Sequence, residues 1–322
     1  MSAIMEYIQS HFYQLLLWGV PSIVVIVAAV WGIMRIRSKP KTEKYDKFVK
    51  GQGLEYEEAV TRVEELTAKF RDKVGILIHI IHDLDSNKEG ADLVSAPGSI
   101  SYQEAFEKIG AIRSAEKGTK IHIIVHTLGG YALPSFMIAD AIRKHDGDVQ
   151  VYVPYVAMSG GTIIALAAGE VCMGKVARLG PVDTVYGGYT YSTLKALSIE
   201  KGGNDKLSDE VLLTVIEADK YEAYSKNEVK SFTHENHMPK DGAHIAEELS
   251  AGKMSHNQGL DFSQVKAMGM NVKDSCPELV YQITDAQIRV IKSRPTKAAI
   301  LAKAKDQSFK RRNERSKRER SS

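Results

Sequence analysis

The stretch Ile121-His-Ile-Ile-Val-His-Thr-Leu-Gly-Gly130 indicates the fold more strongly than any other part of the chain. Its first six residues form a dense β-branched run, which is typical of a strand buried on both faces of a parallel sheet. A parallel neighbour requires a crossover connection, and residues 132–144 supply a helix with one apolar face. Residues 149–154 then return as the next strand. The stretch therefore predicts a βαβ unit of an α/β domain.

A second segment, Val153-Pro-Tyr-Val-Ala-Met-Ser-Gly-Gly-Thr162, places Ser159 where that next strand gives way to a helix of small residues. Ser159 follows Gly130 by 29 positions. Glycine lets a backbone approach a substrate carbonyl closely, and amides at a helix N-terminus point outward. We expect the Gly130 and Gly160 amides to meet the Ser159 hydroxyl, as an oxyanion hole beside a nucleophile requires. The alternative is a plain turn, followed by small residues that allow tight helix packing.

Four motifs in order resemble the membrane-anchored serine dehydrogenase proteinases, a branch of the Clp-type and crotonase-like superfamily related to signal-peptide peptidase A. They are His126-Thr-Leu-Gly-Gly130, Val153–Thr162, Leu166-Ala-Ala-Gly169 and Leu179-Gly-Pro-Val-Asp183. The resemblance runs from about Val74 to Val272. It implies an α/β Clp/crotonase-like fold built as a repeated β-β-α spiral, with an N-terminal transmembrane helix and assembly into a homo-oligomer.

The same resemblance implies a serine endopeptidase that cleaves peptide or protein substrates. Its nucleophile would be Ser159, served by Asp183 and by His256 of Met254-Ser-His-Asn257. The sequence departs from the family pattern at three sites. Leu128 stands where proline is usual, Thr184-Val185 stands where Pro-Gln is usual, and Asn257 stands where aspartate usually follows the histidine.

Residue chemistry alone leaves the base open. A serine hydroxyl is a poor nucleophile until a base takes its proton and a carboxylate orients that base. Asp183 follows the rigid turn Gly180-Pro-Val182, where a carboxylate can also simply cap a backbone amide. His256 precedes a short predicted helix, so it lies in a loop. Its rivals in polar sequence are His234, His237 and His244.

A lysine is the alternative base, since signal-peptide peptidases of the superfamily use a Ser-Lys dyad with a lysine a few dozen residues after the serine. Lys195, Lys201 and Lys206 fall in that interval, and Lys201 is the representative candidate. All three lie in polar sequence, which favours solvated surface amines over the burial that lowers a lysine pKa. No histidine pair has the helical spacing of a zinc peptidase, so neither a metal nor a cofactor is expected.

Two other classes of function remain open. A crotonase-type enzyme would use the paired amides to polarise an acyl thioester without a nucleophile, and Ser159 argues against it. A non-proteolytic Clp-fold membrane scaffold would keep the fold and recruit partners through its polar helices. The intact serine and both glycine motifs argue against a scaffold, whereas Asn257 keeps it open.

The N-terminus predicts the compartment. Residues 12–34 carry no charged side chain and exceed the roughly 20 residues that span a bilayer. Residues 1–11 contain Glu6 and no Lys or Arg, unlike a cleaved signal peptide, so the segment is expected to remain as an anchor. Six basic residues follow within 35–47, which places that side in the cytoplasm. We therefore expect a single-pass inner-membrane protein with a cytoplasmic catalytic domain.

The remaining composition is ordinary apart from its C-terminus. Two cysteines, Cys172 and Cys276, are too few for a disulfide framework and fit a reducing compartment. The net charge of +3 is small, but residues 303–322 are strongly basic and without an apolar stripe. Such a tail is expected to be disordered, with anionic lipid, nucleic acid or solvent as its partner.

These patterns divide the chain into six segments. An amphipathic helix follows a basic linker, and its apolar face must dock either on the core or on another subunit. The predicted segments are a non-cytoplasmic N-terminus (1–11), the transmembrane helix (12–34), the basic linker (35–53), the amphipathic helix (54–73), the peptidase domain (74–283), and a C-terminal helix with the basic tail (284–322).

Overall fold

The computed structural model describes residues 40–86, 98–233, 242–250 and 252–294. The predicted membrane span 12–34 and the basic tail lie outside these ranges. None of the helices within them is both long enough and apolar enough to cross a bilayer. The chain divides into two compact units, and the one that contains the sheet is Tyr56–Ser293.

The described residues form nine α-helices and nine strands. The helices are α1 (Pro40–Val74), α2 (Tyr102–Arg113), α3 (Ala132–Arg143), α4 (Gly160–Leu166), α5 (Tyr191–Lys201), α6 (Asp209–Thr233), α7 (Gly242–Ser250), α8 (Phe262–Ala267) and α9 (Glu278–Ser293). The strands are β1 (Ile76–Ile81), β2 (Ile121–His126), β3 (Val149–Val153), β4 (Val156–Ala157), β5 (Glu170–Met173), β6 (Arg178–Leu179), β7 (Val185–Tyr186), β8 (Tyr189–Thr190) and β9 (Val272–Lys273).

The main sheet has five parallel strands in the order β1-β2-β3-β5-β9. Strand β2 lies second in this order, and all six of its residues are buried. Its register pairs Ile121 with Ile76 on one side and with Val149 on the other. The β-branched run at 121–126 is therefore confirmed as a strand covered on both faces.

A second, shorter layer of pairing carries the functional segments. Strands β4 and β6 pair in parallel, with Ala157 opposite Leu179. Single bridges extend this layer from Ala157 to Thr127 and from Leu179 to Leu260. Chain segments that follow different strands of the main sheet are thus brought side by side.

Helix α1 covers one face of the main sheet together with α9. Leu66 and Phe70 of α1 pack with Val280 and Ile283 of α9 against sheet residues that include Tyr152. The apolar face of α1 therefore docks on the core of its own chain. This is the first of the two predicted alternatives, the second being another subunit. The opposite face of the sheet is covered by a larger apolar cluster that contains residues of α2, α3 and α4.

Helix boundaries differ from the sequence pattern more than strand boundaries do. Helix α1 is continuous from Pro40, so residues 40–53 of the predicted linker are helical. Helix α9 begins at Glu278, inside the predicted domain limit of 283, because its buried positions already include Val280 and Ile283. Apolar periodicity identifies the buried face of a helix but not the polar turns that extend it.

Phe70 tests the packing of α1. Its ring makes edge contacts with His122 at 5.5 Å and Tyr152 at 5.9 Å between centroids, and it is buried. Phe70→Ala leaves a cavity, so we expect the free energy of unfolding of the full chain to fall by about 3–5 kcal/mol in urea titrations. Phe106→Ala is the control, because Phe106 is 60% exposed, and it should change the same quantity by less than about 0.5 kcal/mol. Equal effects would contradict the assigned packing.

Candidate active site

Ser159 occupies a strained turn between β4 and α4. Its backbone has φ 49° and ψ −114°, and among the described residues it alone combines a positive φ with a side chain. Such a conformation costs on the order of 1–3 kcal/mol and persists only where the surroundings enforce it. A serine on a sharp strand-to-helix turn presents its hydroxyl outward, as hydrolase nucleophiles require.

Gly129 brings the first glycine motif into contact with this turn. A Cβ added at Gly129 would lie 2.8 Å from the Ser159 Cβ and 3.0 Å from the Gly160 nitrogen. Gly129 also has a φ of +108°, which residues with a side chain rarely adopt. The two segments, separated by one βαβ unit in the sequence, therefore meet backbone to backbone.

Two amide groups beside Ser159 have no protein acceptor in the described part of the chain. The Gly129 amide is used within its own turn, whereas the Gly130 amide donates no hydrogen bond. The Gly160 amide belongs to the first turn of α4 and is likewise free, while Gly161 donates to the Met158 carbonyl at 2.8 Å. Free amides such as these can donate hydrogen bonds to an oxygen on which negative charge develops.

The glycines after Ser159 also serve tight packing. All seven residues of α4 are buried. A Cβ at Gly161 would lie 2.6 Å from the Thr127 Cγ2, and a Cβ at Gly160 would overlap Ser135 of α3. These glycines therefore allow tight packing of α4, as the alternative interpretation of the motif expects. Tight packing is compatible with a free Gly160 amide.

The short layer of strands connects the segments that carry Asp183 and His256 with the segment that carries Ser159. Asp183 lies four residues after Leu179, and Leu179 pairs with Ala157, two residues before Ser159. His256 lies four residues before Leu260, which bridges Leu179 on its other side. All three predicted residues therefore extend from neighbouring segments of one layer.

Asp183 is buried, and its surroundings change its titration. Burial raises the pKa of this carboxyl, and the nearby Glu222 carboxylate raises it further. The Ser192 hydroxyl, which donates to Asp183 Oδ2 at 3.2 Å, lowers the pKa, as does the charge of His256. His256 is therefore close enough to Asp183 for its positive charge to lower the pKa of this carboxyl.

The hydrogen bonds of a closed catalytic triad are not formed in this chain. Asp183 Oδ1 and His256 Nδ1 are both buried, and neither has a hydrogen-bond partner among the described residues. The Ser159 hydroxyl does not cap α4. Carboxylate and imidazole are thus within electrostatic range with complementary free atoms, and the roles assigned to them remain predictions.

The alternative bases have different environments. Lys201 is exposed in the last turn of α5, and Lys206 pairs with Asp205 on the surface. Lys195 is partly exposed and lies 3.3 Å from Asp219. None of these amines is buried, so none has the desolvated surroundings typical of a lysine base. His244 is exposed on α7, and His234 and His237 lie outside the described residues.

Sequence reasoning missed two residues that bear on Asp183. Ser192 of α5 holds the carboxylate, and Glu222 of α6 is a second buried acid whose Oε1 lies 3.0 Å from Lys226 Nζ. Both belong to polar helices without a motif, so their approach could not be read from spacing. No group of three or more His, Cys, Asp or Glu side chains within residues 40–86, 98–233, 242–250 and 252–294 is arranged to hold a metal ion.

The sequence also matches a family model described as the ClpP-like SDH-type serine proteinases over residues 77–314. The chain belongs to this family. The match covers more than half of the chain and includes both glycine motifs, Ser159, Asp183 and His256. The family suggested by the four motifs is therefore confirmed, with an α/β ClpP-like fold and a parallel sheet.

Curated relatives include two uncharacterised proteins of Methanocaldococcus jannaschii. MJ0137 is 32% identical over 240 residues, which cover 73% of this chain and 80% of that protein. MJ1495 is 32% identical over 197 residues, which cover 61% of this chain and 67% of that protein.

Similar solved structures share less of the sequence. The 1510-N membrane-bound stomatin-specific protease, as a lysine-to-alanine mutant with a substrate peptide, is 19% identical with a TM-score of 0.41, covering 65% of this chain and 79% of its own. ClpP1 from Listeria monocytogenes is 16% identical with a TM-score of 0.38, covering 66% of this chain and 99% of its own.

Gly129→Ala tests the contact with Ser159. The added methyl would collide with the serine turn and would impose an unfavourable φ, so we expect hydrolysis by this family member to fall at least about 100-fold. Gly118→Ala is a matched control, because Gly118 has φ +76° and open space around a Cβ. It carries the same kind of backbone strain without a collision. A Gly129 variant as active as the Gly118 variant would contradict the close approach.

Asp183→Asn tests the electrostatics. Because the pKa of Asp183 is raised in the folded state, the folded state binds the carboxyl proton more tightly than the unfolded state does. The free energy of unfolding therefore falls as the pH rises from the ordinary carboxyl pKa through the raised pKa of Asp183. At pH 7 the asparagine variant should therefore melt at the same temperature as wild type or higher. The difference between the melting temperatures of the variant and the wild type should become smaller as the pH falls toward the ordinary carboxyl pKa of about 4.

Asp140→Asn is the control for this measurement, since Asp140 lies 2.6 Å from Lys144 on the surface and should leave the melting temperature nearly unchanged. A clear loss of thermal stability in Asp183→Asn at pH 7 would show that the ionised carboxylate stabilises the fold, against this account.

Proposed function

We propose that the protein is a membrane-anchored serine endopeptidase that cleaves peptide bonds of protein substrates with Ser159, His256 and Asp183. The observation that carries the proposal is the contact of Gly129 with the strained Ser159 turn, flanked by the free Gly130 and Gly160 amides. Membership of a serine proteinase family supports the reaction class.

In the proposed reaction the Ser159 Oγ attacks the scissile carbonyl carbon. His256 takes the hydroxyl proton and later gives it to the leaving amine, which breaks the C–N bond and leaves an acyl-enzyme. Water then repeats the attack with His256 again as the base. In both tetrahedral intermediates the negative oxygen accepts hydrogen bonds from the Gly130 and Gly160 amides.

Asp183 would orient His256. Its free Oδ1 and the free Nδ1 of His256 are complementary as acceptor and donor, and the reaction requires them to come within hydrogen-bond distance. Catalytic hydrogen bonds are often long in the absence of substrate and shorten in the reacting complex. The hydroxyl of Ser192 keeps the other carboxylate oxygen in place.

The membrane location is part of the proposal. Residues 12–34 are apolar enough in sequence to span a bilayer, and the basic residues after them favour a cytoplasmic domain at the inner membrane. A juxtamembrane position also makes anionic lipid a natural partner for the basic tail, with nucleic acid as the alternative.

Exposed apolar side chains support the proposal that the protein self-associates. Large apolar side chains are exposed on α5, α6 and the β7–β8 hairpin, and they include Ile199 at 76%, Leu213 at 64% and Tyr189 at 59%. Exposed apolar patches of this kind often mark protein–protein contacts. A homo-oligomer would cover them.

The activity is tested by cleavage of fluorescence-quenched peptides by the full-length protein in lipid nanodiscs. Ser159→Ala and His256→Ala should each reduce turnover at least about 10⁴-fold, whereas Lys201→Ala should stay within about twofold of wild type. Loss of activity in Lys201→Ala with retention in His256→Ala would establish the Ser-Lys dyad instead. Hydrolysis of acyl thioesters that survives Ser159→Ala would favour crotonase-type chemistry, and a protein inert in every assay would favour the scaffold.

A further inference from the structure

A buried polar chain of three side chains is hydrogen-bonded to the Gly129–Gly130 turn. Thr127 immediately follows β2, His82 immediately follows β1, and Glu104 lies in the first turn of α2. Thr127 is fully buried, and the side chains of His82 and Glu104 are only 7% and 16% exposed. Three separate segments of the chain therefore converge on one hydrogen-bonded line.

The line ends on the backbone of the glycine turn. His82 Nε2 lies 3.0 Å from Glu104 Oε2, and His82 Nδ1 lies 2.6 Å from Thr127 Oγ1. The Gly129 amide donates to the same Thr127 Oγ1 at 3.0 Å. This threonine oxygen is therefore shared between the histidine ring and the turn.

The donor and acceptor of each hydrogen bond in the Glu104–His82–Thr127 chain can be assigned by starting from the Glu104 carboxylate. Ionised Glu104 only accepts, so His82 Nε2 carries a proton and donates it. In the neutral ring Nδ1 then accepts. The Thr127 hydroxyl also lies 3.3 Å from the Gly129 carbonyl oxygen, and it donates to Nδ1 at the shorter distance of 2.6 Å. A hydroxyl that donates to one partner becomes a better acceptor for another, which strengthens the bond from the Gly129 amide.

A nucleophilic role for Thr127 is excluded by its surroundings. Its hydroxyl is inaccessible, and the Gly129 amide already occupies an acceptor position of Oγ1. The Thr127 backbone is also fixed, since its amide donates to Val156 and its carbonyl accepts from Met158, both at 3.0 Å. Glu104, His82 and Thr127 resemble a catalytic triad in order, but they act on a backbone amide.

We infer that Thr127, supported by His82 and Glu104, is a positioning residue that sets the direction of the Gly130 amide. The Gly129 amide is held by Thr127, and the Gly129 carbonyl accepts from the Ile100 amide at 2.8 Å. Holding both ends of this residue fixes the peptide plane that carries the next amide, which is that of Gly130. The inference rests on the proposed oxyanion role of that amide.

The chemical test compares Thr127→Val with Thr127→Ser. Valine keeps the shape and removes the hydroxyl, so we expect kcat per active site, counted by fluorophosphonate titration, to fall about 10- to 100-fold. KM should change less than about twofold, because the turn acts on the tetrahedral intermediate more than on bound substrate. Serine retains the hydroxyl and should restore kcat to within about threefold of wild type.

The support of the line is tested on α2. Glu104→Ala removes the acceptor of His82 Nε2 and should lower kcat about three- to tenfold, whereas Glu104→Gln keeps an acceptor oxygen and should stay within about twofold. Glu107→Gln is the matched control, since Glu107 is exposed on the same helix and pairs with Gln103. These variants also carry the test if Thr127→Val does not fold.

A readout independent of catalysis separates this inference from the proposed function. Amide hydrogen exchange of the full-length protein should become at least about tenfold faster at Gly129 in Thr127→Val and remain at the wild-type rate in Thr127→Ser. A wild-type protein without activity would overturn the proposed function. The hydrogen-exchange measurement would then still test whether Thr127 holds the Gly129 amide. Unchanged exchange at Gly129, or a uniform loss of active protein at constant kcat, would overturn the positioning role.

Discussion

Gly129 and Ser159 approach each other so closely that neither backbone has room for another atom between them. A methyl group on Gly129 would lie 2.8 Å from the Ser159 Cβ, which is a distance that real side chains do not adopt. The rest of the site depends on this contact. It requires a glycine at 129, a positive φ at Ser159, and a helix that begins at once after the serine.

The core supplies the rigidity that this geometry demands. Strained backbone survives only where surrounding contacts enforce it, and the turn at Ser159 is enclosed by β2, β4 and the wholly buried α4. Asp183 adds a second local cost, because burial opposes its charge. Local costs of this kind are typical of functional sites, which are often less stable than the same fold could be.

Particular residues show how far the sequence predicts this structure. The β-branched run at 121–126 predicts a strand with the observed ends, since side chains buried on both faces leave a continuous apolar signal. The glycine motifs predict that Gly130 and Gly160 flank Ser159. Helix ends are less predictable, since the turn at Ser159, and not an apolar pattern, sets Gly160 as the first residue of α4.

Long-range polar pairs could not be predicted. His82 is recognisable in the sequence as a strand-end histidine, but nothing in the spacing links it to Glu104, 22 residues later, or to Thr127. Ser192 and Glu222 reach Asp183 from polar helices in the same way. Such contacts depend on how helices dock on the sheet, and docking is decided by the packed core as a whole.

The most direct measurement of the central claim is site-mapped labelling by a fluorophosphonate. The reagent forms a bond to an activated serine oxygen and places its phosphoryl oxygen in an oxyanion hole, so it reports both properties that the Gly129 contact is held to create. The account predicts one adduct per chain, located on Ser159 by peptide mass mapping of the full-length protein in lipid nanodiscs. Labelling of a different serine, or none while the protein is folded and cleaves peptides, would contradict it.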